Sequence, residues 1–210
     1  MGELVPFIAV TAVALAVVLW AEVAKRPLWN AVFKPVASAA FVAAGFAVGA
    51  LEHPLGVLLV VALILGALGD VLLIPKEKKG VFIAGIGAFL LAHLAYGAMF
   101  LAMGVDLVRL LVALVFASAV AVLVWRHLAP HVTGAMRVAV MSYIAVITVM
   151  VALAFGVVSY GWLPVVAAVT FWLSDLTVAR HRFVRQAAVN RLVGLPLYYA
   201  AQYLFIGLVV

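Results

Sequence analysis

The sequence predicts an all-α, polytopic integral membrane protein with eight transmembrane helices in one bundle. Three observations predict it. Hydrophobic residues make up 70% of the 210 positions and charged residues only 10%, with a mean hydropathy of +1.37, which is too little polar surface to coat a soluble globule of this size. Apolar runs long enough to cross a bilayer recur along the whole length with short breaks, which predicts a single polytopic domain over 1–210. Basic residues gather at alternate breaks. Runs such as VLLVVALILGAL do not alternate polar with apolar residues, so a membrane β-barrel is excluded.

The spans lie at 5–22, 33–51, 55–74, 81–103, 107–128, 134–157, 161–179 and 192–210. The first follows Glu3 rather than a basic segment and precedes Lys25 and Arg26, so it reads as a helix and not as a cleaved signal peptide. The second starts at Lys34-Pro35, where proline suits a first helical turn. The third carries Gly66 and Gly69, small enough for close helix approach, beside Asp70. His93 and Tyr96 share a face of the fourth, three residues apart. The fifth is almost wholly apolar. Asp175 stands near the end of the seventh, and Tyr198, Tyr199 and Gln202 stand in the eighth, on related faces.

Twelve of the thirteen Lys and Arg residues lie at odd-numbered loops: Lys25, Arg26 and Lys34; Lys76, Lys78 and Lys79; Arg126 and Arg137; and Arg180, Arg182, Arg185 and Arg191. Only Arg109 lies near an even one. By the positive-inside rule the odd loops are cytoplasmic and both termini face the other side, as in a multi-pass protein of a bacterial-type plasma membrane. The net charge of +6 then serves orientation and anionic headgroups, so the bilayer and not nucleic acid is the expected partner. With no cysteine there is no disulfide, thiolate metal site or cysteine nucleophile.

Charged and polar groups within apolar spans are costly and mark functional sites by default. Most of them fall in the cytoplasmic half. Asp70 and Asp175 also stand 105 residues apart, half the chain, each followed by a basic loop and a further helix. The step from Asp70 to His93 equals that from Asp175 to Tyr198, 23 residues. Two parallel four-helix halves, 1–105 and 106–210, are therefore a further reading, and they would bring the aspartates face to face.

Two carboxylates in one low-dielectric site can hold different protonation states, one proton-donating and one charged, which suits general acid and base work. The plainer reading pairs Asp70 with Lys76 or Lys78 and Asp175 with Arg180 or Arg182. His93 and Tyr96 read either as site residues or as interhelical hydrogen-bond partners, and Tyr198 and Tyr199 either as site residues or as an aromatic belt. Gln202 lies too deep for a belt. Lys34 reads as part of a helix start or as an anchor for a phosphate. His53, His127, His131 and His181 lie in or beside loops and receive no catalytic role. His93 lacks the spaced partner of a helical metal site, and neither a Gly-x-Ser-x-Gly elbow nor a P-loop occurs, so no metal or cofactor is expected.

Lys34-Pro35, Leu68-Gly69-Asp70, Ala92-His93-x-x-Tyr96, Leu173-Ser174-Asp175 and Tyr198-Tyr199-x-x-Gln202, in this order on eight apolar spans, resemble the YhhN family of membrane proteins, whose characterised members include lysoplasmalogenases. The sequence departs after the second aspartate, where Leu176-Thr177-Val178-Ala179 replace the serine- or asparagine-rich continuation common in that family. The resemblance implies hydrolysis of the vinyl ether bond of a lysophospholipid substrate, giving a fatty aldehyde and a glycerophospho-headgroup. It implies Asp70 and Asp175 as acid and base in unassigned order. His93, Tyr96, Tyr198, Tyr199 and Gln202 would orient substrate or water, and Lys34 would contact the phosphate. A proton-coupled transporter and a non-catalytic lipid-binding protein are the competing expectations. The oligomeric state is left open.

Overall fold

The computed structural model describes residues 2–75 and 78–210. Among them the chain forms eight helices: α1 (Val5–Val23), α2 (Pro27–Ala47), α3 (Gly56–Leu72), α4 (Lys79–Ala102), α5 (Leu107–Leu128), α6 (Gly134–Gly156), α7 (Leu163–Ala179) and α8 (Ala188–Ile206). Six of the helical segments are long and apolar enough to cross a membrane, and α3, at 17 residues, is shorter but apolar. The bundle turns large hydrophobic side chains outward, among them Val13, Val115, Phe116 and Leu123. In water such a surface is untenable, and the chain is an integral, multi-pass membrane protein.

Two helix starts differ from the sequence expectation. α2 begins at Pro27, with the proline in its first turn, so Lys34 and Pro35 lie inside the helix rather than at its start. The fixed φ and missing N–H of a proline suit either site at a helix start, and the more N-terminal proline takes the role. α8 begins at Ala188 rather than 192 and ends at Ile206. Tyr198 and Tyr199 thereby sit ten residues or more into the helix, buried rather than in an aromatic belt. α7 runs on through a π-helical turn, Arg180–Val184, into the basic connection.

Neighbouring helices follow one another α1–α2–α3–α4–α6–α7–α8 and back to α1, and α5 lies outside against α6. α8 also reaches α2 and α3, which brings its tyrosines to the middle. There Phe171 contacts the rings of Phe89, His93, Tyr96, Tyr198 and Phe205, with its centroid 4.4 Å from that of His93. At one end, Asp106 caps α5 by accepting the Arg109 N–H at 2.8 Å, and its own N–H bonds the Gly156 carbonyl at 2.9 Å.

Close approach rests on missing side chains. A Cβ at Gly69 would stand 2.6 Å from the ring of Phe89 on α4, and one at Gly194 would collide with the Thr177 hydroxyl on α7. Gly69→Ala therefore has to push α3 from α4, at a cost of about 1–3 kcal/mol for overpacking. Thermal unfolding in detergent should show a lowered midpoint, and an unchanged one would mean that Phe89 yields freely.

Candidate active site

A cavity of about 200 Å³ opens where the basic α7–α8 connection meets the bundle. Its polar lining includes Lys34, Asp70, Tyr143, Asp175 and Tyr198, and its walls are apolar, from side chains such as Ile86, Phe89, Ile144 and Trp172. Arg182, Gln186, Asn190 and Arg191 line it too. Arg191 is ion-paired with Glu22, which also accepts from Asn30 at 2.6 Å, so α1, α2 and α8 are tied together at this end. The Arg182 guanidinium lies over the Phe82 ring, 4.1 Å from its centroid.

The first carboxylate, Asp70, is 2% exposed and surrounded by donors. Lys34 Nζ stands 2.9 Å from Oδ1 and 3.3 Å from the backbone oxygen of Asp70. Ser38, one turn beyond Lys34 on α2, donates its hydroxyl to Oδ2 at 2.5 Å. Lys34 reaches Asp70 because α2 starts early, placing the lysine within the helix on the face that meets α3. Behind them the Tyr199 hydroxyl lies 3.4 Å from Ser38 Oγ and donates to the Lys34 carbonyl at 3.3 Å. Tyr198 stands beside the same carboxylate, near enough to feel its charge, yet its buried hydroxyl closes no hydrogen bond within the protein. That hydroxyl faces Gly66, where a Cβ would come to 3.1 Å.

The second carboxylate, Asp175, has different company. Tyr143 on α6 donates to its Oδ2 at 2.9 Å, and His93 Nε2 from α4 lies 3.2 Å from the same oxygen. The other ring nitrogen, Nδ1, is 2.6 Å from the Phe89 carbonyl, which can only accept, so Nδ1 carries the hydrogen. The Nε2 contact is close but not well aligned as a hydrogen bond. The imidazole is held between Phe171 and Tyr143, whose centroids are 4.4 and 5.1 Å away.

Of the residues expected from the sequence, Lys34, Asp70, Asp175 and Tyr198 reach the cavity wall. His93, Tyr96, Tyr199 and Gln202 are buried behind it. Tyr96 stacks on Phe205 at 3.6 Å and donates to Gln202 Oε1 at 2.5 Å, while Gln202 Nε2 has no protein partner. The cation beside Asp70 is Lys34 rather than the Lys78 of the plainer reading, and Lys76 lies outside the described residues. Sequence reasoning missed Ser38 and Tyr143. Both were within reach, because they stand 105 residues apart, the same offset that relates the two aspartates. Among the described residues no three His, Asp or Glu side chains converge as a metal site would require.

A profile of the YhhN family matches residues 29–209. Over 162 residues the chain is 30% identical to a Bos taurus protein named lysoplasmalogenase TMEM86A and 31% identical to the Homo sapiens protein of that name. Each alignment covers 73% of this chain and 65% of the relative, so the chain spans just under two thirds of the length of these curated relatives. No solved structure matches it.

The ion pair yields a stability prediction. Lys34→Met leaves Asp70 a buried charge without its counter-ion and should cost about 3–5 kcal/mol. Adding Asp70→Asn should recover a large part of that loss. Denaturant unfolding of the single and double variants measures both, and additive losses would mean that the two side chains do not stabilise one another.

Proposed function

The chain belongs to the YhhN family, and we propose that it is a membrane hydrolase that cleaves the vinyl ether bond of lysoplasmalogen-type lysophospholipids to a fatty aldehyde and a glycerophospho-headgroup. The observation that carries this reading is two carboxylates on one apolar-walled cavity, in a chain similar to proteins named lysoplasmalogenases. A vinyl ether breaks when its β-carbon is protonated. The resulting oxocarbenium ion adds water, and the hemiacetal collapses to aldehyde and alcohol. Protonation of carbon is the slow step, so it needs a positioned acid, and the cation it makes needs a nearby anion. Asp70 and Asp175 supply that pair, with Tyr143, Tyr198 and Ser38 orienting them or the attacking water.

The apolar wall suits the hydrocarbon chain. The phosphate end suits the basic α7–α8 connection, where Arg182 and Gln186 line the cavity, while Lys34 pairs with Asp70. On this reading all eight helices span, both termini face away from the cytoplasm, and the cavity opens to the cytoplasmic leaflet. The basic loops support that orientation.

Purified protein in vesicles containing lysoplasmalogen should release fatty aldehyde, followed by an aldehyde-coupled assay. Asp70→Asn and Asp175→Asn should each lower kcat by about 10²–10⁴. A wild-type chain that binds the lipid and releases nothing would be a carrier or lipid-binding protein, and the hydrolase reading would fail.

A further inference from the structure

We infer that the two carboxylates have fixed and different roles: Asp175 delivers the proton to carbon, Asp70 is the standing anion, and His93 and Tyr143 position and supply Asp175. This rests on the hydrolase reading above and assigns within it what that reading leaves open.

Asp70 meets a donor at each oxygen, an ammonium at Oδ1 and a hydroxyl at Oδ2. The carboxylate is the form that an ammonium and a hydroxyl donor bind. Its side chain is 3% exposed, so little of it is presented to a substrate. Such a group stabilises a cation or orients water; it does not give up a proton.

Asp175 keeps 18% of its side chain exposed on the cavity, with His93 buried at its back. Because His93 Nδ1 already donates to the Phe89 carbonyl, Nε2 is the nitrogen that gains or loses a proton. Nε2 lies 3.2 Å from Asp175 Oδ2, off the line of a hydrogen bond but within reach of one after a small turn of either side chain. Asp175 is the member of this pair that reaches the cavity, so a proton carried by the imidazole passes to it from behind. Tyr143 fixes the carboxyl by donating to the same oxygen, which turns the other oxygen free of this pair.

An independent observation comes from sequence offset. Ser38 and Tyr143, Asp70 and Asp175, and His93 and Tyr198 each stand 105 residues apart. In each half a hydroxyl from an even helix, α2 or α6, donates to an aspartate of the next helix, α3 or α7. The ring comes from the other half: His93 on α4 meets Asp175, and Tyr198 on α8 stands beside Asp70. Among the differences between the halves, two decide the chemistry. The half around Asp70 has Lys34 where the other has Ala139, and the half around Asp175 has a histidine where the other has a tyrosine. Lysine makes a permanent anion; histidine makes a rechargeable acid.

The chemistry balances. The π electrons of the vinyl ether take the proton from Asp175, forming a C–H bond and an oxocarbenium ion beside the Asp70 carboxylate. Water adds to the carbon and returns a proton to the Asp175–His93 pair. In the hemiacetal the C–O bond to glycerol breaks, the glycerol oxygen takes up a proton and the new hydroxyl gives one up. The sum is substrate plus water to aldehyde plus alcohol, with the protein unchanged.

Rescue by formic acid and formate separates the roles, using the full chain in vesicles with lysoplasmalogen. Activity of Asp175→Ala should recover in proportion to undissociated formic acid, and that of Asp70→Ala in proportion to formate ion. Asp175→Glu, which keeps an acid, should turn over at least ~10-fold faster than Asp175→Asn. Tyr143→Phe and His93→Gln should lower kcat by roughly 10- and 100-fold with KM unchanged, a split that a packing defect would not give. Rescue of Asp70→Ala by the undissociated acid, or no recovery of Asp175→Ala together with equal activities of its Glu and Asn variants, overturns the assignment while the hydrolase reading stands. An inactive wild type removes both.

Discussion

A carboxylate inside a membrane bundle needs a counter-charge within hydrogen-bond reach, and Lys34 meeting Asp70 at 2.9 Å is the contact around which this bundle is arranged. To bring it about, α2 must carry its lysine inside the helix, and α3 must lie close enough for the ammonium to hold both a carboxylate oxygen and a backbone oxygen. Ser38 then fills the remaining carboxylate oxygen, and Tyr199 of α8 braces Ser38 and the Lys34 carbonyl. α8 can reach that position because Gly66 leaves room for the Tyr198 hydroxyl. A buried charge pair thus fixes the spacing of three helices.

The second centre follows a looser rule. Asp175 has a hydroxyl and an imidazole in place of an ammonium, and more of it faces the cavity. The aromatic cluster around Phe171 holds the imidazole in place, while the Phe89 carbonyl chooses its tautomer. The difference between the centres is chemical: each aspartate accepts a hydroxyl from the preceding helix, and one adds an ammonium where the other adds an imidazole. An enzyme of the proposed kind needs one group that stays charged and one that trades a proton.

The membrane class, the helix number and the cavity acids were legible because apolar length and intramembrane charge carry strong signals: Asp70 and Asp175 stand out in runs that contain almost nothing else polar. Helix starts were less legible. Pro27 and Pro35 are equally good first-turn residues, and the sequence alone does not say that the earlier one wins, so Lys34 was placed at a helix end instead of beside Asp70. The aromatic-belt alternative for Tyr198 and Tyr199 fell for the same reason, a helix beginning four residues earlier than its apolar run. Ser38 and Tyr143 were missed because a lone hydroxyl in a helix is usually just a donor to its own backbone. Only pairing across helices gives them a role, and the 105-residue offset was the sole trace of it in the chain.

Carbon protonation is the step on which the proposed chemistry turns, and isotope placement reads it directly. Turnover in D2O enriched in 18O should give an aldehyde with a single deuteron on the carbon next to the carbonyl, and a glycerophospho product whose oxygen at the cleaved position remains 16O. 18O in the glycerol oxygen would mean that the bond breaks on the other side, and an aldehyde without that deuteron would mean that the carbon takes no proton from water; either result would contradict the account.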